Sequence, residues 1–436
     1  MTWQNWARTV RFEPAEIVRP RDDAEVAAVV KAAAAAGRRV KAVGAGHSFT
    51  SVAATDGVQV RLDHLRGLRS LRPDGVRGAR ATVGAGTTIH ELNALLAAHG
   101  YGLTNMGDID VQTVSGAIAT GTHGTGRGSA SLSAAVTDLR MVLPDGTLID
   151  VGRHDDGSGA ELFHAARLGL GALGIVTAVT FRVEPAFTLR AVTEPARLDD
   201  VLDNVPYLAA DEEHCEFYWL PFTGAVQLKR NRRTTDRPSR RGRVASWLAN
   251  EVVENAGVAA VQRLSRAAPQ ATPMLNRAAS RLIGRRTYVD DAPAVFTSSR
   301  RVRFHEMEYA LPLAAAAPAL RELRDLTARG PWRIAFPVEV RFAPADDVWL
   351  SPAYGRDTVY VAVHAYPRTA YSGWFTAVER LWTSYSGRPH WGKLHTMDAG
   401  YVRDQYDRMG AFLAVRDEVD PHRTMANGYL DRVLGR

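Results

Sequence analysis

Four stretches carry residue types that could act together chemically. In Val40-Lys-Ala-Val-Gly-Ala-Gly-His-Ser-Phe49 a strand breaks into Gly44 and Gly46, and His47 and Ser48 follow at once. The glycines remove side chains that would block a close backbone approach, so the amides around Val43, Gly44, Ala45 and Gly46 can turn inward as a nest for a pyrophosphate. A lone histidine after such a turn is ordinarily a cap, but this one stands beside the nest. The second stretch offers Thr113, Ser115, Gly116, Ala117, Ile118, Ala119, Thr120, Gly121, His123, Gly124 and Gly126. Its small side chains let a flat ligand lie against the backbone, with hydroxyls as donors; a glycine-rich surface turn is the plain alternative. The third is Glu339 with Arg341, two apart on a strand, so both project from one face about 6.5–7 Å apart. A surface ion pair accounts for these two equally well. The fourth is His390-Trp-Gly-Lys393.

A Rossmann dinucleotide loop is excluded by spacing. That fingerprint needs a third small residue three positions after the second glycine, with a helix opening there, whereas Phe49 and then Thr50-Ser51 follow here.

The elements that must position these residues fall into two textures. Up to about residue 185 helical and strand-like patterns alternate, as in a mixed α/β domain. Asp22 with Glu25 three residues on opens a helix that stops at Gly37, and Thr87-Thr-Ile-His-Glu91 opens another that stops at Gly100. Strands are predicted at Val40 to Val43, Leu139 to Leu143 and Leu173 to Val183. From 186 to 419, strand runs such as Phe217 to Leu220, Val338 to Phe342 and Val359 to Val363 mix with helices around Ala314 to Ala328 and Gly373 to Tyr385.

The 436 residues suffice for two domains with full cores, and 46% hydrophobic with 23% charged residues excludes large-scale disorder. No window approaches the roughly 18 uninterrupted apolar residues of a membrane span, and the N-terminus lacks a leader pattern. A cytoplasmic protein without stable membrane insertion is expected. Cys215 is the only cysteine, so there is no intrachain disulfide or cysteine metal cluster, and redox chemistry would need a bound cofactor. The formal charge of +7 (54 basic minus 47 acidic) equals that of Lys229 to Arg243, with eight basic residues against Asp236. That run reads as a solvated loop free of aromatics, unlike a nucleic-acid surface, though it could contact an anionic partner.

In order along the chain, Val43 to Phe49, Ser115-Gly116 with Thr120 to Gly124, Gly171 to Ile175, Glu339 with Arg341 and His390 to Lys393 resemble the aldonolactone oxidoreductases. These belong to the vanillyl-alcohol-oxidase group of FAD enzymes and include L-gulono-1,4-lactone oxidases and dehydrogenases and bacterial alditol oxidases. The actinobacterial gulonolactone dehydrogenase branch is the most similar.

The resemblance implies an α+β, two-domain FAD-linked oxidase fold. An N-terminal α/β FAD-binding domain, 1–185 joined by 420–436, would stand beside an α+β substrate (cap) domain, 186–419. It implies FAD bound covalently through His47 and lying along 43–48 and 113–126, with Ile175 at the adenine end, although Ile175 is as easily a core strand residue. Arg341 would face the flavin pyrimidine edge, Glu339 would orient substrate hydroxyls, and His390 would support the flavin. Lys393 would polarise or deprotonate the reacting hydroxyl, and beside Arg341 it is expected to titrate low, as base chemistry near neutral pH requires. Asp108 and Glu306 stand where alditol oxidases carry neutral substrate-contacting groups. Gly107 stands where a bulkier residue keeps oxygen from the flavin in plant-type dehydrogenases. The implied reaction is hydride transfer from a sugar lactone of the L-gulono-1,4-lactone type to flavin N5, with O2 or another acceptor closing the cycle. An alditol or polyol oxidase, a recruited biosynthetic alcohol oxidase and a basic binding protein are the alternatives.

Overall fold

The helix-start signals work as read. In the computed structural model, which describes residues 2–128, 130–238, 257–298, 302–367 and 369–436, Asp22 accepts the Glu25 amide at the start of helix Asp23–Ala35. Gly37 turns the chain out at φ 62°. Thr88 and Glu91 cap each other at the start of helix Ile89–Ala98, which ends ahead of Gly100 at φ 77°. Strands Glu16–Val18, Val58–Val60 and Val40–Ala42 form a small parallel sheet. A larger antiparallel sheet runs Leu148–Gly152, Val136–Val142, Ile175–Pro185, Gly78–Gly84, Leu68–Asp74. The core beside this sheet also takes Val402, Phe412 and Val415 from helices Ala399–Gln405 and Met409–Val419, together with Leu430 and Val433. The chain thus re-enters the first core upstream of residue 420.

The second unit is built on an eight-stranded antiparallel sheet. Its order is Arg286–Asp291, Thr188–Arg197, Ala225–Thr234, His214–Trp219, Val338–Ala343, Thr358–Ala365, His305–Pro312, Arg388–Pro389. Strand side chains alternate between faces, and here the alternation separates two environments. Phe217, Trp219, Val338, Val340, Val361, Val363, Met307 and Tyr309 join one apolar core with Leu320 and Trp382 of helices Ala316–Arg329 and Ser372–Ser384. Each large side chain withdrawn from water there contributes about 1.5–3 kcal/mol. The intervening residues, Glu216, Tyr218, Glu339, Arg341, Tyr360, His364, Glu306 and Glu308, take the opposite face, which fronts the first unit.

The basic run departs from its reading as a solvated loop. Residues 225–234 are a strand paired on both edges. Arg230 bonds Glu194 and Glu212, Arg232 bonds Glu212, and Arg233 bonds Glu184 and Glu213. Neighbouring carboxylates therefore neutralise the first half of the run. Residues 239–243 lie outside those described. Among the described residues no helix is long and apolar enough to cross a membrane.

Candidate active site

The turn after strand Val40–Ala42 makes a slot rather than a solid corner. Val43, Gly44, Ala45, Gly46, His47 and Ser48 line a cavity of about 310 Å3 with Thr113, Ser115, Gly116, Ile118, Ala119, Thr120 and Ile175. Among the described residues, the amides of 44–48 donate to no protein acceptor, leaving a row of N–H groups for an anion. A Cβ at Gly44 would collide with Thr113 Oγ1, and Gly46 adopts φ 76° beneath Trp3. Both glycines are thus needed for the close approach. Lys41 ties the slot together from below by donating to the carbonyls of Gly171 (2.9 Å) and Met425 (3.1 Å). A second cavity of about 1230 Å3 shares His47, Ser48, Gln112 and Thr120 with the slot and reaches the polar face of the large sheet. An elongated cofactor with an anionic middle and a flat reactive end fits this pair of chambers, as FAD would. Residues 43–48, Thr113, Ser115, Gly116, Ile118, Ala119, Thr120 and Ile175 would hold its diphosphate and adenine end.

His47 stands at the junction and stacks on Trp6, with ring centroids 5.5 Å apart. Burial, helped by the charge of Lys393, pushes its pKa down to about 4. The imidazole is therefore neutral at physiological pH and keeps a lone pair for an electrophile. The first residues of the chain hold this corner: Trp6 N–H donates to Gly46 O (2.9 Å) and the Asn5 amide to Ser48 O (2.8 Å).

On the floor of the larger cavity, cross-strand register brings Arg341 opposite Glu216 and Tyr360, and Glu339 opposite Tyr218. Arg341 bonds Glu339 at 2.5 Å, Glu216 at 3.0 Å and Asp108. The pair read from sequence is thus a buried one, not a surface one. Against the penalty of burial, these carboxylates lift the Arg341 pKa well above its ordinary value.

Lys393 donates to Glu306 at 2.5 Å, and Glu306 also faces His364 Nε2 at 3.6 Å. Here the sequence expectation is corrected. Lys393 does not titrate low: burial opposes its charge, but Glu306, Glu308 and Glu339 outweigh burial and raise its pKa above 10.5. Reciprocally, Glu306 is held down at about 2 despite its burial, chiefly by Lys393. His390 is buried and neutral, its pKa pushed down to about 3 by desolvation, and its Nδ1 accepts the Gly392 amide at 3.0 Å. His123 Nε2 lies 3.3 Å from Glu308, which is likewise held well below its ordinary value against its burial.

Of the residues singled out from sequence, Gly107, Asp108, His123, Glu306, Glu339, Arg341, His390 and Lys393 all line this cavity. Ala117, Gly121, Gly124 and Gly126 line neither chamber. Ala117 belongs to the first core, and a side chain at Gly121 would strike Leu168. Side chains at Gly124 and Gly126 would strike Met106 O and His214. Gly126 N–H donates to Phe342 O (2.9 Å), and Thr125 O meets His214 Nδ1 (2.7 Å). These bonds stitch the glycine-rich strip to the floor strands. A Cβ at Gly107 would lie 3.0 Å from Thr122 Cγ2 and 3.2 Å from His123 O, so this glycine also has a packing reason. Sequence reading missed Trp6, Glu216, Tyr218, Glu308 and His364. Four of these occupy alternate positions of strands, a signal already used for Glu339 and Arg341.

Residues 179–433 match the family model described as D-arabinono-1,4-lactone oxidase, and residues 14–152 match that of an FAD binding domain. The chain belongs to the D-arabinono-1,4-lactone oxidase family. As a member it is an FAD-dependent oxidoreductase with a two-domain FAD-linked oxidase fold. It is 39% identical over 435 residues to L-gulono-1,4-lactone dehydrogenase of Mycobacterium tuberculosis, covering 99% of each chain. L-gulonolactone oxidase of Bos taurus is 32% identical over 99% of this chain and 98% of its own. Alditol oxidase of a Streptomyces species shows the same identity and coverage. The solved structure of cholesterol oxidase from B. sterolicum shares the fold, with a TM-score of 0.81 at 18% identity over 99% of this chain and 96% of that one.

Proposed function

We propose that this lactone oxidase family member oxidises a secondary alcohol of a sugar lactone, L-gulono-1,4-lactone or a close relative, with FAD held covalently by His47, in the cytoplasm. The observation that carries the reading is the convergence of Arg341–Glu339 and Lys393–Glu306 on a cavity that His47 shares with an anion-ready slot. Bound FAD supplies the hydride acceptor. Glu339 accepts hydrogen bonds from substrate hydroxyls and sets which carbon is presented. Arg341 places a permanent cation where negative charge develops. Lys393, already an ammonium, donates to the reacting oxygen and orients it, so the hydroxyl proton leaves to water rather than to the lysine. The floor contributes orientation and fixed charge.

A substrate panel separates this reading from polyol oxidation, to which the similarity to alditol oxidase also points. Turnover of L-gulono-1,4-lactone should exceed that of xylitol with either a dye or oxygen as acceptor, and the reverse order would replace the lactone by a polyol. For the linkage, acid-precipitated protein should retain its yellow colour, and a denaturing gel band should fluoresce. Flavin left wholly in the supernatant would end the covalent assignment. Gly107 adds no side chain to the cavity wall, which leaves oxygen a route to the reduced cofactor. Substrate-reduced enzyme mixed with air-saturated buffer should therefore reoxidise within seconds and form peroxide; reoxidation over minutes beside fast dye turnover would show that another acceptor serves.

A further inference from the structure

Helices Val258–Ala267 and Thr272–Ser280 are arranged inside out. Their buried positions are polar: Gln262 and Ser265 on the first, Thr272 and Asn276 on the second. Ser265 bonds Thr272, and Asn276 donates to the carbonyls of Pro221 and Ile334, which anchors the pair to the cap. Leu264, Met274 and Leu282 face out, 55%, 65% and 76% exposed, whereas Val258 and Val261 are half-buried against the larger cavity. Met274, Arg277, Ala278, Arg281 and Leu282 follow helical spacing and form one exposed stripe, as do Ala260, Arg263, Leu264 and Ala267. Folding alone does not account for helices that bury polar groups and expose leucine and methionine.

Charge decides what the stripes face. Residues 257–289 contain six arginines and no aspartate or glutamate. Among the described residues Arg263, Arg266, Arg277 and Arg281 make no ion pair, unlike the arginines of strand Ala225–Thr234. A second copy of the chain docking here would set arginine against arginine without a counter-charge. An anionic bilayer instead receives the arginines at its headgroups and the apolar side chains at the acyl boundary. Leu282, at the end of the second stripe, also lines the larger cavity together with Ile283 and Arg285, so that stripe reaches the cavity wall.

We propose that this helix pair docks the enzyme on an anionic lipid surface, with the cavity wall at Leu282 on the side that meets the membrane. The test is co-sedimentation of the FAD-loaded protein with vesicles of phosphatidylcholine alone and with phosphatidylglycerol added. Binding should require phosphatidylglycerol and weaken with salt. It should fall roughly fivefold for each of Arg277→Gln and Arg281→Gln, on the scale of one surface cation. The double variant Leu264→Asp with Met274→Asp should also release the protein, while dye-linked turnover without vesicles stays unchanged in all three variants. Absence of binding to either vesicle, or equal binding to both, would overturn the proposal. So would a concentration-dependent dimer that Leu264→Asp dissolves, because the stripe would then serve a second copy.

Discussion

Arg341→Ala will slow substrate-driven flavin reduction by about two to three orders of magnitude, the scale of losing one donor aimed at developing transition-state charge. Removal of the guanidinium also leaves Asp108, Glu216 and Glu339 facing one another without the cation that binds them all. Like charges at such range cannot all stay ionised, so protons will be taken up and Glu339 will lose part of its capacity to accept from substrate. Arg341→Lys returns the charge but not the planar fork that reaches several carboxylates at once, and should recover only part of the rate. Stopped-flow reduction under anaerobic conditions reads this directly. A near-normal rate for Arg341→Ala would remove Arg341 from the chemistry and leave it a structural ion.

Lys393→Met will hurt stability and rate together, and the two effects can be separated. Breaking a buried pair by deleting one partner costs about 3–5 kcal/mol, because the other charge remains uncompensated. Here the survivor is Glu306, almost fully buried. Adding Glu306→Gln should restore most of the lost stability in a thermal or denaturant melt without restoring turnover, since no ammonium then meets the reacting oxygen. Recovery of rate in the double variant would assign Lys393 a structural role only. The pH behaviour follows from both shifts. A lysine whose folded pKa is raised contributes stability fully present below 10.5 and lost above it. A glutamate lowered to about 2 contributes stability present above 4.5 and lost on the way down to about 2. The pair is therefore worth most between those limits. Flavin reduction should show no ionisation of Lys393 from pH 6 to 10, whereas a low-titrating base would have produced one.

The parts of the fold legible in sequence were those with local signals: the caps at Asp22 and Thr88, the glycine stops, and apolar runs such as Val359 to Val363. The nest at 44–48 and the Glu339 and Arg341 spacing were legible for the same reason, since turn and pleat fix where those groups point. What was not legible depended on partners far along the chain. Lys393 is governed by Glu306, 87 residues upstream, and nothing near Lys393 announces three carboxylates. The run Lys229 to Arg233 looked solvated because its neutralising partners, Glu184, Glu194, Glu212 and Glu213, come from other segments brought in by register. Glu216, Tyr218, Glu308 and His364 obey the alternation that found Glu339. Applying that rule to His214-Cys-Glu-Phe-Tyr-Trp219 and His305-Glu-Met-Glu-Tyr309 would have found three of these four.

Thr125 and Gly126 hold the glycine-rich strip against His214 and Phe342 through backbone bonds. Gaping along that seam would break both bonds, so the strip works as a stitch that resists a clam-like opening of the two units.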